Sequence, residues 1–341
     1  MFVTGLGSTQ SKTRRRVVQS AMLSACAAVL FPFGTTQAQP QAGFKPTAPV
    51  KIVVMFPPGG GTDAVARIVG EKLSERWNQP VVVENRAGAQ GNIGTAYGAK
   101  SPADGNTLVF AHQGVFTVNP HLYKDMGVNP VKDLLPVARL TQQPYVLVAH
   151  PSLPVNNLKE LEALAKSQPG KISFGSSASG PQLAVEYFKY TSGIDLLHVP
   201  YKGAGPAVID VLGGNINLLV ANPASVAPHV KAGKLKGLVL FGAQGVDALP
   251  GVPTAIEAGF PALADIPEWY GLAVPAGTPA AVVQQLNQDI TAVLADPRVI
   301  ERIKGLGLSP APSSSDVFAA QIRRDYERWG DLIKRAGIQA N

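Results

Sequence analysis

The sequence predicts an α/β protein with largely parallel sheets, built as two α/β groups. From Pro49 onward, short β-branched runs alternate with stretches whose apolar residues recur at helical spacing. Several of the strand-like runs end in Gly- or Ser-rich turns that open directly into a helix pattern. The 341 residues, 45% apolar and 16% charged, can bury a sizeable core in two domains.

The first group starts with a strand over 50–56. A helix over 62–76 follows, with Val65, Ile68, Val69 and Leu73 on one face. Further strands are expected over 79–84, 107–111 and 145–149, the last closed by Pro151 and Pro154. The second group reads as helix 158–167, strand 172–175, helix 181–190, strand 196–199, helix 206–212, strand 218–221, helix 225–232 and strand 235–241. Pro181 stands early in its helix, where its missing N–H costs nothing. Residues 271–275 look like a further crossing segment. Two helices close the chain. One carries Val282, Val283, Leu286, Ile290 and Leu294 on a single face, the other Phe318, Ile322, Trp329 and Ile333. In such folds ligands are expected at the carboxyl ends of the strands.

The formal charge of +7 is concentrated at the N-terminus. The first 38 residues hold Lys12, Arg14, Arg15 and Arg16 and no acid. Without them the chain carries 26 basic and 23 acidic residues, or +3. That is an ordinary surface, and it argues against nucleic acid as a partner. TRRR, the apolar run VVQSAMLSACAAVLFPF and TTQAQ together read as a cleaved export signal, with the cut after Ala38. The run is too broken, by Gln19, Ser20, Ser24 and Pro32, to span a membrane. Its Arg14-Arg15 pair leaves general secretion and the twin-arginine route both open. Cys26 is the only cysteine, and Leu23-Ser24-Ala25-Cys26 resembles a lipobox, so a lipidated Cys26 is the alternative to cleavage after Ala38. With cleavage the mature chain has no thiol and no disulfide.

Three strand–turn–helix junctions carry the candidate chemistry. Gly59-Gly60-Gly61-Thr62-Asp63-Ala64 fits G-x-G-x-x-A, and Glu84 ends the next strand, as in dinucleotide-binding loops. Pro57-Pro58 and the export signal argue against that reading, and no Lys follows the glycines to make a Walker loop. A plain turn capped by Thr62 or Asp63 is the structural alternative. A helix start also offers free N–H groups and about half a positive charge, which suits a compact anion such as a carboxylate. Gly61 is expected to use a backbone angle closed to other residues. Gly175-Ser176-Ser177-Ala178-Ser179-Gly180 repeats the device. It nearly matches G-x-S-x-G, so a serine hydrolase using His198 is a rival reading. The third junction is His198-Val199-Pro200-Tyr201-Lys202-Gly203-Ala204-Gly205-Pro206. Lys202 there is either a ligand contact or a solvated surface cation. The five histidines, His112, His121, His150, His198 and His229, have no paired spacing for a metal, and no cofactor is expected.

With these residues in hand, the chain resembles the periplasmic substrate-binding receptors of tripartite tricarboxylate transporters, the Bug-type or TctC-like proteins. FPPGGGTDAVAR, ENRAGAQGNIG, SPADGNTLVF, HVPYKGAGPAVIDVLGG, LPGVPTAIEAGFP and EWYGLAVPAGTP carry the resemblance, which covers nearly the whole mature chain. It implies a two-lobed periplasmic binding protein, a type II-like clamshell with two crossover strands near Val148 and Leu272. One lobe would be 44–147 with 272–341, the other 148–271. The ligand would be a small carboxylate held by backbone N–H groups and hydroxyls. Gly60, Gly61, Thr62 and Asp63 would contribute from the first lobe, and Ser177, Ala178, Ser179, Lys202, Gly203, Ala204 and Pro206 from the second. The resemblance implies a monomeric periplasmic receptor, not an enzyme, that delivers its ligand to membrane transporter subunits or reports occupancy to a sensor kinase. The chain departs from the family pattern at Phe56, at His112-Gln113, at Gln182 and at Glu268. His112 and Gln113 are expected at a strand end facing the cleft, adding polar contacts to the far end of the ligand.

Overall fold

A computed structural model describes residues 44–338. The export-signal features, Cys26 and the cleavage point after Ala38 lie outside the described residues. The first half of the chain forms β1 (Val50–Val54), α1 (Gly61–Trp77), β2 (Val81–Asn85), α2 (Asn92–Ala99), β3 (Thr107–His112), the short helices α3 (Asn119–Leu122) and α4 (Pro130–Asp133), and β4 (Leu134–Ala149). There follow α5 (Leu158–Ser167), β5 (Ser173–Ser176), α6 (Ser179–Ser192), β6 (Leu197–Pro200), α7 (Ala204–Leu212), β7 (Leu218–Ala221), α8 (Pro223–Lys231) and β8 (Lys236–Phe241). β9 (Pro267–Pro275), α9 (Ala280–Leu294), α10 (Pro297–Gly305) and α11 (Ser315–Ala336) complete the fold.

Two sheets share one strand. The first runs β2-β1-β3-β9-β4 and the second β8-β4-β7-β5-β6. The outer pairs are parallel, as the alternation of strands and helices predicts. The pairs nearest the shared strand are antiparallel: β3–β9, β4–β9, β4–β7 and β4–β8. β4 is much longer than the predicted strand over 145–149. Its first part pairs with β9 from Leu134↔Pro275 to Pro144↔Pro267, through two register shifts. From Tyr145 it pairs with β8 instead, and from Val146 with β7. Pro136, Gln142, Gln143 and Pro144 mask this strand in the sequence; the bulges and the partner strand accommodate them. Val148 sits in the second-sheet part of β4, and Leu272 sits within β9, paired to both β3 and β4.

Each sheet organises its own core. Ile52, Val54, Val65, Val69, Phe110, Leu272 and Leu286 pack in the first. In the second, α5 and α6 cover one face with Leu161, Leu183 and Phe188, while α7 and α8 cover the other with Val208, Val211 and Val226. α11 belongs to both halves. Phe318 and Ile322 join the first core, Trp329 and Ile333 the second. Phe318 lies so close to Gly271 that a Cβ there would overlap its ring, so the glycine in β9 is what admits the helix.

Candidate functional site

One cavity of about 370 Å³ lies between the two sheets. Its walls come from the loop after β1, the starts of α1, α6 and α7, the β7–α8 junction, His112 at the end of β3, and Glu268 and Tyr270 of β9. The two halves approach closely at its mouth, where a Cβ on Gly203 would stand 3.5 Å from Pro57 Cγ. Away from the cavity they touch again, since a Cβ on Gly114 would meet the Gly180 backbone at 2.5 Å.

Three helix starts face this space, and none has a side-chain cap. The N-cap residues Gly60, Ala178 and Gly203 are all extended and leave the first-turn N–H groups of α1, α6 and α7 without a side-chain acceptor. Elsewhere Asn129, Asn157, Asn222, Asp296 and Ser314 cap α4, α5, α8, α10 and α11, while α2, α3 and α9 also begin without a side-chain cap. Each open start presents donors and the positive end of a helix dipole. Such an arrangement of donors suits a compact anion.

Of the residues expected at the site, Gly60, Gly61, Thr62, His112, Ser177, Ala178, Lys202, Gly203, Ala204 and Pro206 line the cavity. Asp63, Gln113 and Ser179 do not. The buried Asp63 carboxylate turns back to accept from the Gly59 N–H at 3.0 Å, from Arg67 at 3.0 Å and from Asn85 at 3.1 Å. Burial alone would raise its pKa, but those hydrogen bonds outweigh burial and hold the carboxyl below its usual value. Asp63 therefore braces the glycine loop and stays off the cavity wall. Gln113 is buried, and its side chain is engaged with Tyr145 and Thr117. Ser179 is buried at the first turn of α6, off the cavity wall. The strained backbone angle belongs to Gly59, at φ +88°, and not to Gly61.

Sequence reasoning missed a polar cluster at the cavity floor. Tyr270 donates to Glu268 Oε1 at 3.0 Å, and Asn222 Nδ2 donates to the Tyr270 hydroxyl at 3.0 Å. Gln143 Nε2 donates to Glu268 Oε2 at 2.9 Å, and His112 Nε2 stands 3.5 Å from Oε1. Burial, and then the charge of Glu268, hold the Tyr145 and Tyr270 phenols well above their usual pKa. Only the departures at His112 and Glu268 hinted at this cluster in the sequence.

The serine-hydrolase reading finds a different arrangement. Ser176 Oγ and His198 Nε2 are 2.8 Å apart, but Ser176 is buried and neither residue lines the cavity. Ser177, at the centre of the near-motif, lines the cavity without His198 beside it on that wall. Among the described residues, no group of His, Cys, Asp and Glu gathers as metal ligands, and no helix is long and apolar enough to cross a membrane.

Residues 65–338 match the model of the tripartite tricarboxylate transporter family receptor. Protein BugT of Bordetella pertussis is 35% identical over 297 residues, covering 86% of this chain and 91% of that protein. Rpa4515 of R. palustris, solved with adipate, aligns with a TM-score of 0.82 and 33% identity over 86% of this chain and 99% of its own. MatC from Rhodopseudomonas palustris, solved with bound malate, aligns with a TM-score of 0.78 and 29% identity over 84% of this chain and 99% of its own.

Proposed function

Since the chain belongs to the tripartite tricarboxylate transporter family of receptors, we propose that it captures a small carboxylate in the cavity between its two lobes and delivers it to membrane transporter subunits. The observation that carries this reading is the convergence of three uncapped helix starts on one cavity. A carboxylate there takes N–H donors from α1, α6 and α7, supplemented by the hydroxyls of Thr62 and Ser177. Each helix dipole adds about 0.3–1 kcal/mol, and more where water is excluded. The adipate and malate held by the two R. palustris relatives support the ligand class.

We take 44–147 with 272–341 as one lobe and 148–271 as the other, joined through β4 and braced by α11. Closure brings the α1 loop against the α7 loop, a reading supported by the nearness of Pro57 to Gly203. The chain works in the periplasm as a monomer, after cleavage near Ala38, and binds without chemistry. The burial of Ser176 and its distance from the cavity wall favour this over hydrolysis.

A thermal-shift screen of carboxylates tests the proposal. At 100 times its dissociation constant a ligand stabilises the fold by about 2.7 kcal/mol. NMR of the recovered ligand should show it unchanged. Turnover, or a complete absence of carboxylate binding, would overturn the assignment.

A further inference from the structure

We propose that Glu268 is a cation-recognising subsite, and that the ligand is an amino-carboxylate whose ammonium pairs with Glu268 while its carboxylate sits on the helix starts. This deepens the receptor reading and rests on it.

Glu268 lines the cavity and is almost fully buried. Its surroundings turn hydrogen-bond donors toward both of its oxygens. Asn222 Oδ1 accepts from the Ser225 N–H at 3.1 Å, which orients the amide so that its Nδ2 donates to Tyr270. With its oxygen receiving that bond, the Tyr270 proton points to Glu268 Oε1. Gln143 supplies a donor to Oε2. The third neighbour, His112, accepts the Gly114 N–H on Nδ1 at 3.1 Å. Its ring is therefore neutral and carries its proton on Nε2, the atom facing Glu268. Every neighbour is a donor, which suits an acceptor-only carboxylate, and every neighbour is uncharged.

The charge of Glu268 thus has no cationic partner among the described residues. Its nearest basic side chain is the His112 imidazole, 3.5 Å away, and the single Lys on the cavity wall, Lys202, is exposed. A buried carboxylate held only by neutral donors is costly, and a ligand cation removes that cost on binding. A second carboxylate placed there would instead meet like charge.

The spacing is short. A Cβ on Gly61, at the start of α1, would stand 3.5 Å from the Tyr270 hydroxyl, which lies 3.0 Å from Glu268 Oε1. Anion and cation subsites are therefore neighbours. That fits a nitrogen a few bonds from the carboxylate, as in an α-amino acid, better than one at the end of a long chain.

Calorimetry on matched pairs tests this: succinate with L- and D-aspartate, and glutarate with L- and D-glutamate. Within each pair the skeleton is constant and one ammonium is added. In at least one pair the amino member should bind the wild type ten-fold or more tightly than its dicarboxylate. Glu268→Gln should shrink that ratio below three-fold, weakening the amino member and strengthening the dicarboxylate. If each dicarboxylate binds as well as or better than its amino partner, the inference falls while the receptor reading stands. If no member of either pair binds, the inference falls, and failure across the wider carboxylate screen takes the receptor reading with it. The wild-type comparison alone decides the matter should Glu268→Gln fail to fold.

Discussion

Gly61 occupies the first helical position of α1 and lines the cavity, where a side chain would intrude on the proposed anion site. Its backbone is ordinary; the positive φ belongs to Gly59. A Cβ at Gly61 would meet Asn222 Nδ2 at 3.3 Å and the Tyr270 hydroxyl at 3.5 Å, and the branched methyls of valine reach further into the cavity. Gly61→Val should therefore fold and lose at least 100-fold in carboxylate affinity, about 2.7 kcal/mol. Gly60→Ala is the control, because its Cβ meets nothing within 4 Å; it should stay within about three-fold of wild type. Calorimetry gives both values, and circular dichroism checks folding. Near-native affinity in folded Gly61→Val would place the anion elsewhere. Asp63 shows the converse case: a residue that looks like a ligand contact in the sequence spends its charge on Gly59, Arg67 and Asn85.

Among the elements, α11 matters most beyond the site itself. At 1.5 Å per residue its 22 residues span about 33 Å. Its first half packs on the first core through Phe318 and Ile322, and Trp269 Nε1 donates to Asp325 at 2.8 Å. Its second half seats Trp329 and Ile333 in the other core. Trp329→Ala should cost about 3–5 kcal/mol, the usual range for emptying a buried aromatic site. Urea unfolding checks it, with a lowered midpoint expected. An unchanged midpoint would mean that the second half of α11 contributes little to the fold.

For the whole molecule, His198 links stability to pH. Burial first, and then the nearby Lys189 charge, lower its pKa from 6.5 to about 4. The folded state therefore resists a proton that the unfolded chain accepts. There is no penalty above pH 6.5. Stability should fall as pH drops from 6.5 to 4 and this contribution should level off below. The full shift corresponds to roughly 3 kcal/mol, or about 2 after allowing for partial exposure. His198→Gln should lose this part of the acid sensitivity, measured as the difference between wild-type and variant unfolding free energies across pH 4–7. NMR titration of the imidazole should give a midpoint near 4; one near 6.5 would remove the effect.

The amino-acid sequence by itself determined what neighbouring residues decide. Helical spacing placed α5 and the last two long helices. β-branched runs placed β1, β3 and β7. The three strand–turn–helix junctions marked the helix starts that line the cavity, because a strand–turn–helix junction is a property of a few consecutive residues. Only the tertiary structure decided which of those residues line the cavity. Gln113 follows His112 directly, yet one lines the cavity and the other is spent on Tyr145. The first part of β4 was illegible because its prolines and glutamines suit a strand only when β9 lies alongside. The cluster of His112, Gln143, Asn222, Glu268 and Tyr270 draws on β3, β4, the β7–α8 junction and β9. No local pattern can signal it, since its hydrogen bonds exist only once both sheets have formed and packed.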